Sequence, residues 1–320
     1  MAQHFLLSRA ARTLSLAKVA RMSEDEAHDA FRMIRWCDTG GEPVCPRSGG
    51  LQHSFISTRK LWKCAACKHQ FSVTSGTTFA SRKLPIGTYL LAIAIFVNGA
   101  KGHSALQLSR DLDVQYKTAF VLSHKLREAI AADAATHTAS GEVEVDGAYF
   151  GGHIRPENRK EDRIDRRKAV HQTGRRKVVI VVRERKGRTL SFVAKTEEAS
   201  VSVIRDRIAP GTTVHADEAA GWDKLHARFL TKRINHSESY SDGEACTNQA
   251  ESFFSRLRRA EMGVHHRISG AYLGFYAGEM AWREDHRRKS NGVQYLIATN
   301  AALVHPVSRQ WKGYWQRRAA

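Results

Sequence analysis

The chain has 320 residues, enough for more than one domain with a core of its own, and its 42% hydrophobic content is ordinary for a globular protein. Fifty-one Lys and Arg against 32 Asp and Glu leave a net charge of +19, which favours a polyanionic partner, nucleic acid ahead of an anionic membrane. No apolar run approaches the ~18 residues of a membrane span, so a membrane partner is not expected and a cytoplasmic, nucleoid-associated protein is.

The first 21 residues carry Arg9, Arg12, Lys18 and Arg21 and no acid. Such a start suits a mitochondrial targeting segment or a helix that packs or touches DNA, and the basic balance of the whole favours the second. Ser23-Glu-Asp-Glu26 has the form of a capping box, so a helix is expected from there to about Arg35, completing an N-terminal helical segment over 1–35. Residues 36–82 change character, with Gly40-Gly41, Pro43, Pro46, Gly49-Gly50, four cysteines and β-formers at 71–74. They predict a small strand-containing module that needs a staple.

Cys64-Ala-Ala-Cys67 is half of a zinc knuckle, and its other half belongs about 15–20 residues earlier. Cys45-Pro-Arg-Ser48 stands there, with serine where a fourth cysteine is required. A serine hydroxyl does not readily ionise, which leaves three outcomes. Cys37 or His53 completes the set with Cys45, Cys64 and Cys67; water completes a weaker Zn²⁺ site; or the ribbon is metal-free. Cys246 is far away in sequence and reads as an isolated thiol.

Residues 83–136 read as helices. Pro85 suits a helix start, and the apolar run at 89–97 suits a buried helix. Helical patterns at 104–112 and 116–127 flank a break at Asp113-Val114, and the second has polar and basic positions that include Lys117. Two short helices about a turn match a DNA-reading helix-turn-helix, with a plain helical hairpin as the alternative.

From 141 the hydrophobic period switches to two. Strands are expected at 142–147, 177–185 and 189–195, the last two joined by the hairpin signal Lys186-Gly-Arg188. A helix at 198–208, a strand at 212–217, a helix at 218–229, a strand at 231–236 and a helix at 247–260 follow. The order β-β-β-α-β-α-β-α is that of a ribonuclease-H-like mixed-sheet domain, expected over 137–300 ahead of a basic C-terminal tail at 301–320. The fold class is therefore multidomain, α+β and α/β. The connection at 153–177 holds ten Arg or Lys against four acids. A long loop in a compact domain is functional or disordered, and beside a catalytic strand Arg166, Arg167 and Lys168 are expected to grip phosphate.

Three acids occupy these elements: Asp146 in the first strand, Asp217 at the end of the fourth, and Glu251 in the first turn of a basic amphipathic helix that also carries Arg256, Arg258 and Arg259. Mg²⁺ takes oxygen ligands and keeps several waters, so one or two carboxylates per ion suffice. An acid on each of two strands and one on a late helix is what two-metal phosphoryl transfer requires. Glu142, Glu144 and Asp146 share one strand face, and Gly147 lets a DNA backbone approach closely.

The stretches Glu144-Val-Asp-Gly-Ala-Tyr-Phe-Gly-Gly152, Val214-His-Ala-Asp-Glu218, Ile234-Asn-His-Ser237 and Thr247-Asn-Gln-Ala-Glu-Ser-Phe-Phe-Ser-Arg-Leu-Arg-Arg259 resemble a DDE transposase of the ISXO-type bacterial insertion-sequence family. Members of that family carry an N-terminal zinc ribbon. The resemblance implies that Asp146, Asp217 and Glu251 hold two Mg²⁺ (or Mn²⁺) ions, with Asp146 bridging. The 33 residues between the second and third acids suit it. Asn248 is the competing third ligand, and Arg258, seven residues after Glu251, is expected on DNA phosphate. The implied protein binds terminal inverted repeats of double-stranded DNA through its ribbon and helix-turn-helix. It hydrolyses element ends and joins the 3′-hydroxyl to target DNA, as a homodimer or larger synaptic complex. A ribonuclease-H-like nuclease without strand transfer and an inactive transposase-derived DNA-binding protein are the alternatives.

Overall fold

A computed structural model describes residues 4–151, 159–164, 176–217, 220–234 and 246–318. The chain divides into two compact units, Met1–Ala132 with His286–Ala320, and Asp133–Asp285. No helix among the described residues is long and apolar enough to cross a membrane.

In the first unit, α1 (Leu16–Ala20) precedes α2 (Glu24–Arg35). The capping box at the start of α2 is formed: Ser23 Oγ accepts from Glu26 N at 3.2 Å, and Glu26 Oε2 accepts from Ser23 N at 2.8 Å. Such a cap contributes about 1 kcal/mol. The ribbon is an antiparallel sheet of β1 (His53–Ile56), β2 (Leu61–Cys64) and β3 (Gln70–Phe71). Strands this short cannot bury a core alone. Trp36, at the end of α2, supplies one by meeting Trp62 and Phe71 edge-on at 5.3 and 6.3 Å. Arg35 closes the following loop by donating to the carbonyls of Val73 and Ser75, each at 2.6 Å. Burial holds its guanidinium down to about 10.

The apolar run forms α3 (Ile86–Asn98), with Pro85 at its N-cap. Proline offers no capping side chain, and Glu24 of α2 does the work instead, its two oxygens accepting from Ile86 N at 2.9 Å and Gly87 N at 3.3 Å. The helix-turn-helix pattern appears as α4 (Ala105–Asp111) and α5 (Tyr116–Thr136), with Asp113 at φ 50° in the turn.

The C-terminal boundary differs from the expected one. The sheet unit ends at Asp285, and α9 (Asn291–Val304) packs on α2 and α3 rather than extending the catalytic domain to 300. Its buried stripe of Tyr295, Ala298, Ala302 and Leu303 needs an apolar partner, which α2 and α3 provide. Asn291 ties the junction: its Oδ1 accepts from Thr13 N and Leu14 N at 2.8 Å, and its Nδ2 donates to Asn98 Oδ1 at 2.9 Å.

The second unit is a mixed sheet in the order β6-β5-β4-β7-β8, built from β4 (Glu142–Phe150), β5 (Lys177–Glu184), β6 (Thr189–Ala194), β7 (Thr213–Asp217) and β8 (Leu230–Ile234). The first three strands pair antiparallel, and β4–β7 and β7–β8 pair parallel, the ribonuclease-H-like arrangement. The helices are α6 (Val201–Arg207), α7 (Asn248–Ala260) and α8 (Leu273–His286). The helix expected at 218–229 is, among the described residues, a 3₁₀ segment over Ala220–Leu225 that buries Trp222 and Leu225.

Strand β5 shows why the sheet sits between two layers. Val178, Ile180 and Val182 enter one core with Val143, Val145, Ile204 and Trp222, while Val179 and Val181 enter the other with Phe253, Phe254, Leu257 and Met280. Each such side chain contributes roughly 1.5–3 kcal/mol when fully buried. The second core clamps α7 onto the sheet two residues beyond Glu251.

Candidate functional site

The parallel register pairs Val145 with Ala216, so its next step sets Asp146 beside Asp217. Glu251 enters from the first turn of α7. Asp146 is pushed up to about 7 by burial and then by the charge of Asp217, with Glu251 and Glu197 adding to it; the Gly147 N–H, donating to Asp146 Oδ1 at 2.7 Å, works against the rise. Carboxylates that repel one another in a half-buried pocket are a donor set that a hard divalent cation would relieve. Asn248, the competing third ligand, is exposed at the first position of α7, whereas Glu251 is half-buried and its charge reaches Asp146.

Two residues before Asp146, Glu144 is fully buried. Its Oε2 accepts from Gln249 N at 2.8 Å and Ala250 N at 3.1 Å, so β4 caps the helix that presents Glu251. Negative charge at a helix N-terminus is favourable there. Arg185 Nε lies 3.5 Å from Glu144 Oε1 and supplies the counter-charge. Cys246 is not isolated as expected: its thiol accepts from Arg185 Nη2 at 3.0 Å and donates to Glu144 Oε1 at 3.6 Å. Its place just before α7 puts it beside the Glu144 cap, which sequence distance alone conceals.

Glu197 was not singled out by sequence. It follows β6 directly and sits at the start of the turn into α6. A Cβ on Gly147 would come within 2.9 Å of Glu197 Cγ and Oε1, and one on Gly221 within 3.1 Å of its Cβ. Burial and the charge of Asp217 push its carboxyl above the usual range. An acid just past the third strand, with glycine beside Asp146, was the available signal.

The basic residues separate. Arg258 and Arg259 are exposed on the last turn of α7, whereas Arg256 is drawn to the buried Glu284 by an ion pair of 2.8 Å. Arg256, expected with Arg258 and Arg259 to contact DNA, thus also has a structural partner in Glu284. Lys117 is exposed in the first turn of α5, its ammonium 5.3 Å from the Trp315 ring. Arg166, Arg167 and Lys168 lie outside the described residues.

In the ribbon, the sulfurs of Cys45, Cys64 and Cys67 lie within 4.8 Å of one another. The Cys45–Cys67 sulfurs are 3.6 Å apart; Zn–S bonds of about 2.3 Å place tetrahedral sulfurs about 3.8 Å apart, so the set fits zinc. Ser48 Oγ lies 3.4 Å from Cys64 Sγ, at the edge of the cluster. The Cys67 N–H and the Ser48 hydroxyl bring the Cys64 thiol down to about 6, favouring the thiolate a metal needs. Neither expected substitute joins the cluster. Cys37 is exposed with its thiol on Asp38, and His53 Nε2 is bonded to the Pro43 carbonyl at 2.8 Å.

Residues 22–70 match the family model of the transposase zinc-ribbon domain, and residues 138–285 that of the ISXO2-like transposase domain. The second match ends where the sheet unit ends, at Asp285. Among curated proteins and among solved structures, no match was found. The two matched domains together span more than half of the chain and stand in the order that the three acids and the cysteine cluster require, and the chain belongs to the ISXO-type DDE transposase family.

Proposed function

We propose that this transposase cuts DNA at element ends and joins the freed 3′-hydroxyl to target DNA, with Asp146, Asp217 and Glu251 as its metal-binding acids. The convergence of these acids from β4, β7 and α7 within an ISXO2-like domain carries the reading. Two Mg²⁺ or Mn²⁺ ions, when bound, supply Lewis-acid activation of the attacking oxygen and neutralise charge on the phosphate. Asp146, whose carboxyl feels the charges of both Asp217 and Glu251, would hold the ions together with those two acids. Gly147 N–H orients Asp146, and the Glu144 cap fixes α7, so the acids are set before DNA arrives.

The chemistry is two in-line displacements without a covalent enzyme intermediate. A water oxygen bonds to phosphorus at the element end as the P–O3′ bond breaks; water gives up one proton and the leaving oxygen takes one, yielding a 3′-hydroxyl. That hydroxyl oxygen then bonds to a target phosphorus while the target P–O3′ bond breaks. Arg258 and Arg259, with Arg166, Arg167 and Lys168, hold phosphates. In the other unit, Cys45, Cys64 and Cys67 hold Zn²⁺, and α4–α5 reads the terminal inverted repeats. At least two subunits pair two ends in the bacterial cytoplasm.

A labelled duplex bearing an element end, incubated with supercoiled target and Mg²⁺, tests this. Asp146→Asn is expected to abolish both cutting and joining while end binding persists. Wild-type joining by that variant overturns the assignment. Cutting without joined products by the native protein favours a ribonuclease-H-like nuclease.

A further inference from the structure

We infer that Glu197 is a fourth acid of the cation site, entering it past Gly147 beside Asp146. This rests on the active-site reading above and extends it to a residue outside the three acids.

The sheet is built to admit this side chain. Glu197 leaves β6 and turns back toward β4, where its Cγ and Oε1 pass within 2.9 Å of the place a Gly147 Cβ would occupy. A side chain at 147 would force the Glu197 side chain to shift. Gly221 leaves the space on the other side, where a Cβ would stand 3.1 Å from that of Glu197. Gly147 has no positive φ that would demand glycine for backbone reasons, so close approach is what the position requires. Gly147 also donates its N–H to Asp146 Oδ1, which places Glu197 against the residue that orients the central acid.

An acid serving only the surface would pair with a lysine, as its neighbour Glu198 does with Lys224 at 2.7 Å. Glu197 instead turns inward among like charges, a position a bound cation makes favourable. A hard ion accepts a further carboxylate oxygen in place of one of its waters.

The test uses the full chain and Mn²⁺ as the probe. Mn²⁺ affinity is measured by calorimetry on the native protein, Glu197→Gln and Asp146→Asn, alongside end cleavage and the metal-free melting temperature. Glu197→Gln is expected to bind Mn²⁺ about 10- to 100-fold more weakly, a loss typical of damage to a metal site, and to cleave correspondingly more slowly, while melting at or above the native temperature. Gly147→Ala, which displaces the same carboxylate, should lower Mn²⁺ affinity alike. If Asp146→Asn loses Mn²⁺ and Glu197→Gln does not, the fourth-acid assignment fails while the active site stands. If both variants bind and cleave normally, the active-site reading itself fails.

Discussion

Glu144 Oε2 accepts the backbone N–H of Gln249 at 2.8 Å, joining the strand of Asp146 to the helix of Glu251. The two catalytic elements lie about a hundred residues apart in sequence, and one buried carboxylate sets their separation. Glu144→Ala leaves two amide donors and Arg185 without this acceptor, so a loss of about 2–4 kcal/mol is expected in urea unfolding. Glu144→Gln, which keeps an oxygen acceptor, should cost less stability. An alanine variant as stable as the native protein would remove the cap from the account.

Completing the ribbon with sulfur should tighten it. Ser48 stands beside Cys64, so Ser48→Cys is expected to raise Zn²⁺ affinity at least about tenfold in competition with a chromophoric chelator. Cys67→Ser should lower it. Equal affinities for Ser48→Cys and the native protein would mean that position 48 does not face the ion.

Stability should fall in acid through Glu184. Burial raises this carboxyl, but the amides of Arg188 and Ser140 and the ring of His137 outweigh it, holding it below its ordinary value of 4.5. A depressed folded pKa stabilises the native state above the unfolded value. That contribution is lost as pH falls through the folded one. Glu184→Gln should therefore cost roughly 1–3 kcal/mol at neutral pH, and the gap from the native protein should narrow as pH falls below the ordinary value of 4.5. A gap independent of pH would argue that charge plays no part.

The arginines of α7 should divide by readout. Arg258→Ala and Arg259→Ala are expected to reduce the salt dependence of DNA binding by about one unit of slope each, without loss of stability. Arg256→Ala removes an ion pair of the buried Glu284, and an unfolding cost of about 1–3 kcal/mol is expected instead. A reversal of the two effects would exchange their roles.

Much of this was legible in the chain. The alternation of Val143, Val145 and the run from Val178 to Val182 fixes β4 and β5, because both sheet faces are covered and every residue must be apolar or functional. Asp146, Asp217 and Glu251 follow from their places on those elements. Glu197 escaped because it lies in a turn with no period, and its role depends on the missing side chain of Gly147. Glu144 looked like one acid among three on a strand; only the docking of α7 shows that it caps a helix. The partner of α9 was equally hidden, since an amphipathic stripe announces that it will be buried and not against what.

The hydrogen bond between Asn98 and Asn291 spans nearly the whole catalytic sequence. Translation adds roughly 5–20 residues per second, so α3 waits about 10–40 s for α9 after it is made. Through that interval the sheet domain is free to fold, while α2 and α3 carry an uncovered apolar face. The unit that holds the ribbon and α4–α5 is thus the last part of a nascent molecule to mature, and a product cut short after Asp285 would carry the three acids beside an unfinished first unit.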